Sequence, residues 1–239
     1  MAAVTLLSTR GLCRNFGGMK AVQNVDFDLQ QGKIRALIGP NGAGKTTLVS
    51  MLCGRIAASS GTVTFMGQDV TAMPAHKRIT MGMAYTFQIT SIFSNLTVFE
   101  NVALAVQHRL GRSAKQLKPE VLATLTRVGL EARSDQVAGD LAYGHQRLLE
   151  IAMGLGQDPK LLILDEPTQG LSDGEIDEFI DLIREVSANT TVLLIEHNIS
   201  VVMALADDIT VLNFGEIIAE GTPDEIHANP AVQAAYLGG

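Results

Sequence analysis

Residues 39–46 read Gly-Pro-Asn-Gly-Ala-Gly-Lys-Thr, the spacing G-x-x-x-x-G-K-[ST], and follow directly on the mostly apolar run Ile34–Ile38. This stretch constrains the fold more than any other, because it works only where a buried strand ends and a helix begins. Its glycines let backbone N–H groups curl around phosphate oxygens, and the helix that follows adds the positive end of its dipole. Lys45 is placed to reach the β- and γ-phosphates of a nucleotide, and the Thr46 hydroxyl to bind Mg2+. A helix is expected over Lys45–Ala57.

A second apolar run, Leu161–Leu164, ends in Asp165 and Glu166. A buried strand tolerates two carboxylates only at an edge where they are used or solvated. Beside a phosphate loop, Asp165 is expected to hold Mg2+, usually through water, and Glu166 to polarise the attacking water as general base. Together the two motifs specify a nucleoside triphosphatase. The guanine-reading N-K-x-D motif is missing, which argues against a GTPase. A small-molecule kinase would share the loop but has no reason to carry the elements that follow.

The remaining pattern is mixed α/β. Val4–Ser8 and Val25–Leu29, the turn at Gln31 and Gly32, and Ile34–Ile38 read as an antiparallel hairpin feeding a buried strand, and Gly61–Met66 with Gly67 as strand and turn. From Asn95 to Gly129 the texture is helical: Thr97 and Glu100 make a capping box, and Val98, Val102, Leu104 and Val106 are expected on largely one side. Val192–Ile195, like Leu161–Leu164, is wholly apolar, the pattern of a central strand buried on both faces. Between them Ser172–Val186 reads as an amphipathic helix with Ile176, Phe179, Ile180 and Ile183 inward, and Ile209–Asn213 and Glu216–Glu220 as a hairpin about Gly215. The expected fold is a single α/β domain over 1–239. A P-loop core with a mixed central sheet and an antiparallel β subdomain, residues 1–87 and 156–239, is interrupted by a helical subdomain, residues 88–155.

At 239 residues the chain buries roughly 70% of its unfolded surface, enough for a core without staples. Its net charge of −7 gives no basic footprint for nucleic acid. The longest unbroken apolar run, Val201–Ala206, is far below the ~20 residues of a membrane-spanning helix, and the N-terminal stretch does not read as a signal peptide. Cys13 and Cys53 have neither metal-ligand spacing nor a secretory context, so both are expected as reduced core thiols in the cytoplasm.

One stretch remains, Leu141-Ala-Tyr-Gly-His-Gln-Arg147, a glycine opening the apolar helix expected over His145–Gly156 and hence a second potential phosphate contact. The order of phosphate loop, Gln88 at a strand end, this loop, Asp165-Glu166 and then His197 resembles the ATP-binding cassette family over essentially the whole chain. The Ala-Tyr form of the loop, "FGGMKAVQNV", "IEHNISVVM" and the ending "GTPDEIHANPAVQAAYLGG" resemble one ATPase type from importers of branched-chain and related hydrophobic amino acids.

The resemblance implies that two chains, identical or paralogous, pack head to tail around two ATP molecules, each signature loop facing the γ-phosphate bound to the other. It places ATP on Gly39, Asn41, Gly42, Gly44, Lys45, Thr46 and Thr47, with the adenine on Phe16. Gln88 joins Mg2+ and the lytic water to the helical subdomain, and His197 is the switch histidine at the γ-phosphate. Tyr143, Gly144 and His145 form the signature contact. Ala142 replaces the usual serine, so part of that contact rests on the Gly144 N–H and the helix end. Ser172 replaces the family's D-loop aspartate and, with Glu175, reads as a helix N-cap. The implied partners are integral-membrane permease subunits and, indirectly, an extracytoplasmic solute-binding protein, with the chain cytoplasmic and peripheral on the inner face of the membrane. The C-terminal regulatory domain general in sugar-importer ATPases is not expected. An exporter ATPase of the lipopolysaccharide type is disfavoured by "LAYG", and a soluble cassette of translation or repair by the lack of a second cassette or long coiled coil.

Overall fold

Strands that alternate in burial and strands buried throughout sort into two different sheets. In the computed structural model, which describes residues 4–86, 91–111 and 114–237, β1 (Thr5–Phe16) and β2 (Met19–Gln30) pair antiparallel from Thr5↔Gln30 to Phe16↔Met19. The hairpin therefore turns at Gly17-Gly18, not at Gln31 and Gly32, and Phe16 sits at its tip. The turn at Gln31 and Gly32 instead carries the chain into the other sheet, through β3 (Ile34–Ile38). β4 (Ser60–Phe65) pairs with the free edge of β1, and β5 (Gln68–Asp69) with β4.

The second sheet has the order β10-β9-β3-β8-β7-β6. Here β6 (Met83–Tyr85), β7 (Leu161–Asp165), β8 (Thr191–Ile195) and β9 (Asp208–Asn213) run parallel to β3, and β10 (Glu216–Gly221) folds back on β9. All residues of β7 and β8 are buried, as their unbroken apolar runs require. Leu161, Ile163, Leu193 and Ile195 face a core shared with the antiparallel sheet, while Leu162, Leu164, Val192 and Leu194 face a helical core on the other side.

Helix α1 (Lys45–Leu52) lies in the first of these cores through Leu48, Val49, Met51 and Leu52. It stops five residues before the expected end at Ala57, because Gly54 adopts φ +71° and the turn is closed from elsewhere. Arg78, on the short helix α2 (Ala75–Thr80), is buried and donates to four carbonyls: Met51 at 2.9 Å, Leu52 at 2.7 Å, Met73 at 2.9 Å and Thr71 at 3.1 Å. The last carbonyls of a helix lack intrahelical partners, and here a distant guanidinium satisfies two of them.

The other core holds α3 (Val98–Leu110), α4 (Ala114–Arg127), α5 (Tyr143–Leu155) and α6 (Asp173–Ser187). The Thr97–Glu100 capping box forms at the start of α3, with the Thr97 N–H donating to Glu100 at 2.8 Å. Val98, Val102 and Val106 point into the core, but Leu104 is exposed. Two residues from Val102 it is rotated by about 200°, so helical geometry places it on the far side. Helix α6 buries Phe179, Leu182, Ile183 and Val186, with Ile176 and Ile180 packed at the margin. A third, smaller core lies under α7 (Ile199–Leu205), α8 (Pro223–His227) and α9 (Pro230–Leu237).

Arg78→Met removes a donor from four carbonyls, of which Met51 keeps the Gly54 N–H at 3.1 Å, and it is expected to lower the unfolding free energy by roughly 3–5 kcal/mol. Denaturant titration of the two proteins checks this, and a change under 1 kcal/mol would show that the cap is dispensable.

Candidate functional site

The loops that leave β3, β7 and β8 emerge side by side, since those strands are parallel neighbours. The loop after β3 opens α1 at Gly44, with φ +103° and no side-chain cap, so the first N–H groups of the helix have no acceptor of their own. Gly39 and Gly44 are glycines for a steric reason. A Cβ on Gly39 would overlap the Leu212 carbonyl oxygen, and one on Gly44 the Ala21 carbonyl oxygen. The Lys45 ammonium is buried and donates to the carbonyls of Gly39 at 2.7 Å and Pro40 at 3.1 Å. Burial lowers its pKa, opposed by the nearby carboxylates of Glu166 and Asp165.

An open cleft of about 680 Å3 runs along this loop. Phe16, Asn41, Gly42, Gly44, Lys45, Thr46, Thr47 and Glu166 line it, so eight of the expected residues meet on one surface. Asp165 is buried at the end of β7, accepting a 2.7 Å hydrogen bond from the Tyr85 hydroxyl. Burial raises its pKa, the Tyr85 hydrogen bond opposes this, and the Glu166 charge adds to it. The same burial, with the carboxylate as partner, pushes the Tyr85 phenol far up.

Glu166 has φ +49°, the left-handed region that a non-glycine residue enters at a cost of about 1–3 kcal/mol. Three contacts hold it there. Its N–H donates to Ile195 at 2.8 Å, and its carbonyl accepts from the Gln169 N–H at 3.2 Å and from Arg147 at 3.4 Å. His197 follows β8 with Nδ1 3.9 Å from the Glu166 carboxylate and 3.8 Å from that of Glu196. Glu196 has no exposed surface and accepts from four donors: the Thr168 N–H at 3.1 Å, the Thr168 hydroxyl, the His197 N–H at 2.8 Å and the Asn198 N–H at 2.9 Å. It ties the loop carrying His197 to the loop carrying Glu166.

Tyr143, Gly144 and His145 do not line the cleft. They form the first turn of α5, which begins at Tyr143, two residues earlier than expected, with Ala142 as an N-cap lacking any side-chain bond. Gly144 packs against the Glu175 carboxylate, which a Cβ would overlap, and the Tyr143 ring lies over Gly170 and beside the Arg147 guanidinium. Glu175 also accepts from the N–H and hydroxyl of Ser172, at 2.8 and 2.7 Å, at the start of α6. Those bonds, and to a smaller degree the His145 charge, lower its pKa. Arg147 and Glu150 form a buried pair at 3.0 Å on the same helix. Gln88 lies outside the described residues.

Sequence reasoning passed over Tyr85, Arg147, Glu196 and Thr168. Glu196 stands beside the assigned His197, and a charged residue after a wholly apolar run is the signal that marks it, as it marked Asp165. Tyr85 and Arg147 had no such signal.

Comparison with known proteins places the chain. The family model described as ABC transporter matches residues 22–169, and that of the branched-chain amino acid ATP-binding cassette transporter matches residues 216–239. The chain belongs to the ATP-binding cassette family, the nucleotide-binding ATPases of ABC transporters. It is 40% identical to the high-affinity branched-chain amino acid transport ATP-binding protein LivG of Salmonella typhimurium and of Escherichia coli, over 98% of each chain, and 38% identical to BraF of Pseudomonas aeruginosa over the same share. A nucleotide-free ATP-binding cassette from an ABC transporter superposes with a TM-score of 0.89 at 26% identity, covering 99% of this chain and 100% of that one. A cassette in its ADP conformation gives 0.87 at 28%, with the same coverage.

Asp165 is raised in the folded protein, so between its unfolded and folded pKa the native state binds more protons and stability falls as pH rises. Asp165→Asn is therefore expected to raise the melting temperature at neutral pH, with the gain vanishing at pH values where the acid is protonated in both states. Calorimetry of both proteins across pH 3–8 checks the sign, and an Asn variant less stable at pH 7 than at pH 3, relative to the parent, would contradict it.

Proposed function

We propose that this chain is the ATP-hydrolysing subunit of an importer for branched-chain or related hydrophobic amino acids. The observation that carries the reading is the junction of three segments: the phosphate-binding turn at α1, Asp165-Glu166 at the end of β7 and His197 after β8, at one edge of one sheet. The names of the relatives support the transported class. Among the described residues no helix is long and apolar enough to cross a membrane, so transport requires separate permease subunits.

The phosphates of ATP sit on the backbone N–H groups of residues 41–47, with Lys45 turning from the Gly39 and Pro40 carbonyls to the β- and γ-phosphates. The residues fit Mg2+ as well. Thr46 and Asp165 offer hard oxygen donors, and among the described residues no group of three or more His, Cys, Asp or Glu side chains converges as a self-sufficient metal site. Thr46 and Asp165 would hold the cation, with Gln88 assigned beside it, and it would supply charge stabilisation to the transferring phosphoryl group. Glu166 takes the proton of the attacking water, and His197 contacts the γ-phosphate.

Tyr143, Gly144 and His145 serve the nucleotide of a second cassette, identical or paralogous, in a head-to-tail dimer. Closure sandwiches two ATP molecules, and hydrolysis reopens the pair. Residues 88–155 act as the helical subdomain that receives a cytoplasmic helix of the permease, with residues 1–87 and 156–239 as the catalytic core. An extracytoplasmic binding protein delivers the solute, and the chain works peripherally on the inner membrane face.

Glu166→Gln removes the base and keeps the shape. It is expected to cut turnover at least 100-fold and to trap an ATP-bound dimer, visible by size-exclusion chromatography with light scattering. Turnover near the parent rate would remove Glu166 from this role.

A further inference from the structure

The turn between β9 and β10 contradicts its own chemistry. Asn213 pairs with Glu216, so Phe214 and Gly215 are the two central residues, with φ of +46° and +83°. Positive φ at both positions is the requirement of a type I′ turn, whose first position favours Asn or Asp because a bulky side chain is strained there. A phenylalanine occupies it instead, and its side chain is not used for packing: Phe214 is 80% exposed, the most exposed large apolar residue among those described. A residue that is both strained and solvent-facing contributes nothing to the fold that asparagine would not do better.

Its position supplies the reason. Phe214 lines the same cleft as the phosphate loop, together with Phe16 and Met19 at the tip of the β1–β2 hairpin. The two hairpins belong to different sheets, and the β9–β10 turn is stapled to β2 of the first hairpin, at Gln23, and to the loop. The Gly215 N–H donates to the Ala43 carbonyl at 2.8 Å, and the Gln23 N–H to the Gly215 carbonyl at 2.8 Å. The Gln23 amide donates to the Phe214 carbonyl at 2.9 Å. The Arg14 guanidinium covers one face of the Phe16 ring, 4.6 Å from its centroid, which leaves the other for a base.

We propose that Phe214 forms a second wall of the base slot, so that the purine of the bound nucleotide is held between two hairpin tips rather than stacked on Phe16 alone. The inference rests on the nucleotide reading of this cleft. Stacking on an additional aromatic surface contributes affinity without reading hydrogen-bond edges, so the gain belongs to the base and not to the phosphates.

The test uses the full chain with magnesium and two ligands, ATP and inorganic tripolyphosphate, which keeps the phosphates and lacks the base. For Phe214→Asn the expected result is ATP bound about 10-fold more weakly, tripolyphosphate affinity unchanged, and a melting temperature without ligand at least as high as the parent's. Phe214→Tyr is expected to keep the parent's affinity for both. ATP affinity within twofold of the parent in Phe214→Asn overturns the proposal. An equal loss for both ligands also overturns it, since Phe214 would then act only through the loop its turn is stapled to. A parent protein that binds neither ligand fails the nucleotide reading itself, and this inference with it.

Discussion

The structure depends on a sheet whose central strands are buried on both faces. Because β7 and β8 carry no exposed residue, a charged group is held only at the last position of β7, where Asp165 is partnered by Tyr85, and the rest of the chemistry is confined to the loops that follow the strands. Parallel pairing then brings those ends together. β3, β8 and β7 are consecutive in the sheet, so the phosphate loop, His197 and Glu166 are neighbours although they lie far apart in sequence. This is the general behaviour of open α/β sheets, in which ligands bind beyond the carboxyl ends of the strands.

What the apolar interior excludes, the edge must hold in place. Four ionisable side chains at this edge, Lys45, Asp165, Arg147 and Glu196, are buried, and each has partners: backbone carbonyls, Tyr85, Glu150 and a set of N–H donors. Such groups are tolerated only when paired and hydrogen-bonded, and the pairing makes the loops rigid. Arg147 extends this to the helical side. It sits one turn after the Tyr143–His145 segment and reaches the carbonyl of Glu166, so the helix start assigned to the partner's nucleotide and the base assigned to this chain's own nucleotide share a physical link. Glu175 makes a second link, between Gly144 and the N-terminus of α6.

Much of this was legible in the amino-acid order, and the reason is locality. A glycine-rich loop between strand and helix, a capping box three residues wide and an unbroken apolar strand are each complete within a few positions, and Thr97–Glu100, Ser172–Glu175 and Leu161–Leu164 appear where their patterns stand. Features decided by distant partners were not. Helix α1 ends early because Arg78 caps it, and Asp165 is positioned by Tyr85, 80 residues away. Leu104 matched an apolar stripe by residue type but not by angle. The first hairpin was misplaced because its turn was read at Gln31-Gly32 whereas β1 and β2 turn at Gly17-Gly18, and only sheet pairing distinguishes the turn within a sheet from the passage between sheets. Phe214 was hidden for a related reason: its strain is visible only once the two-residue turn is known.

The central claim is that one chain contributes an incomplete catalytic centre. The residues lining the cleft come from the phosphate loop, two hairpin tips and Glu166, while Tyr143, Gly144 and His145 form the start of a helix outside it. The most direct measurement is ATPase rate per chain as a function of protein concentration, with the oligomeric state followed by light scattering in the same samples. Where the protein is monomeric, the rate per chain is expected to fall in proportion to dilution. A rate per chain that stays constant in a demonstrably monomeric sample would contradict the account.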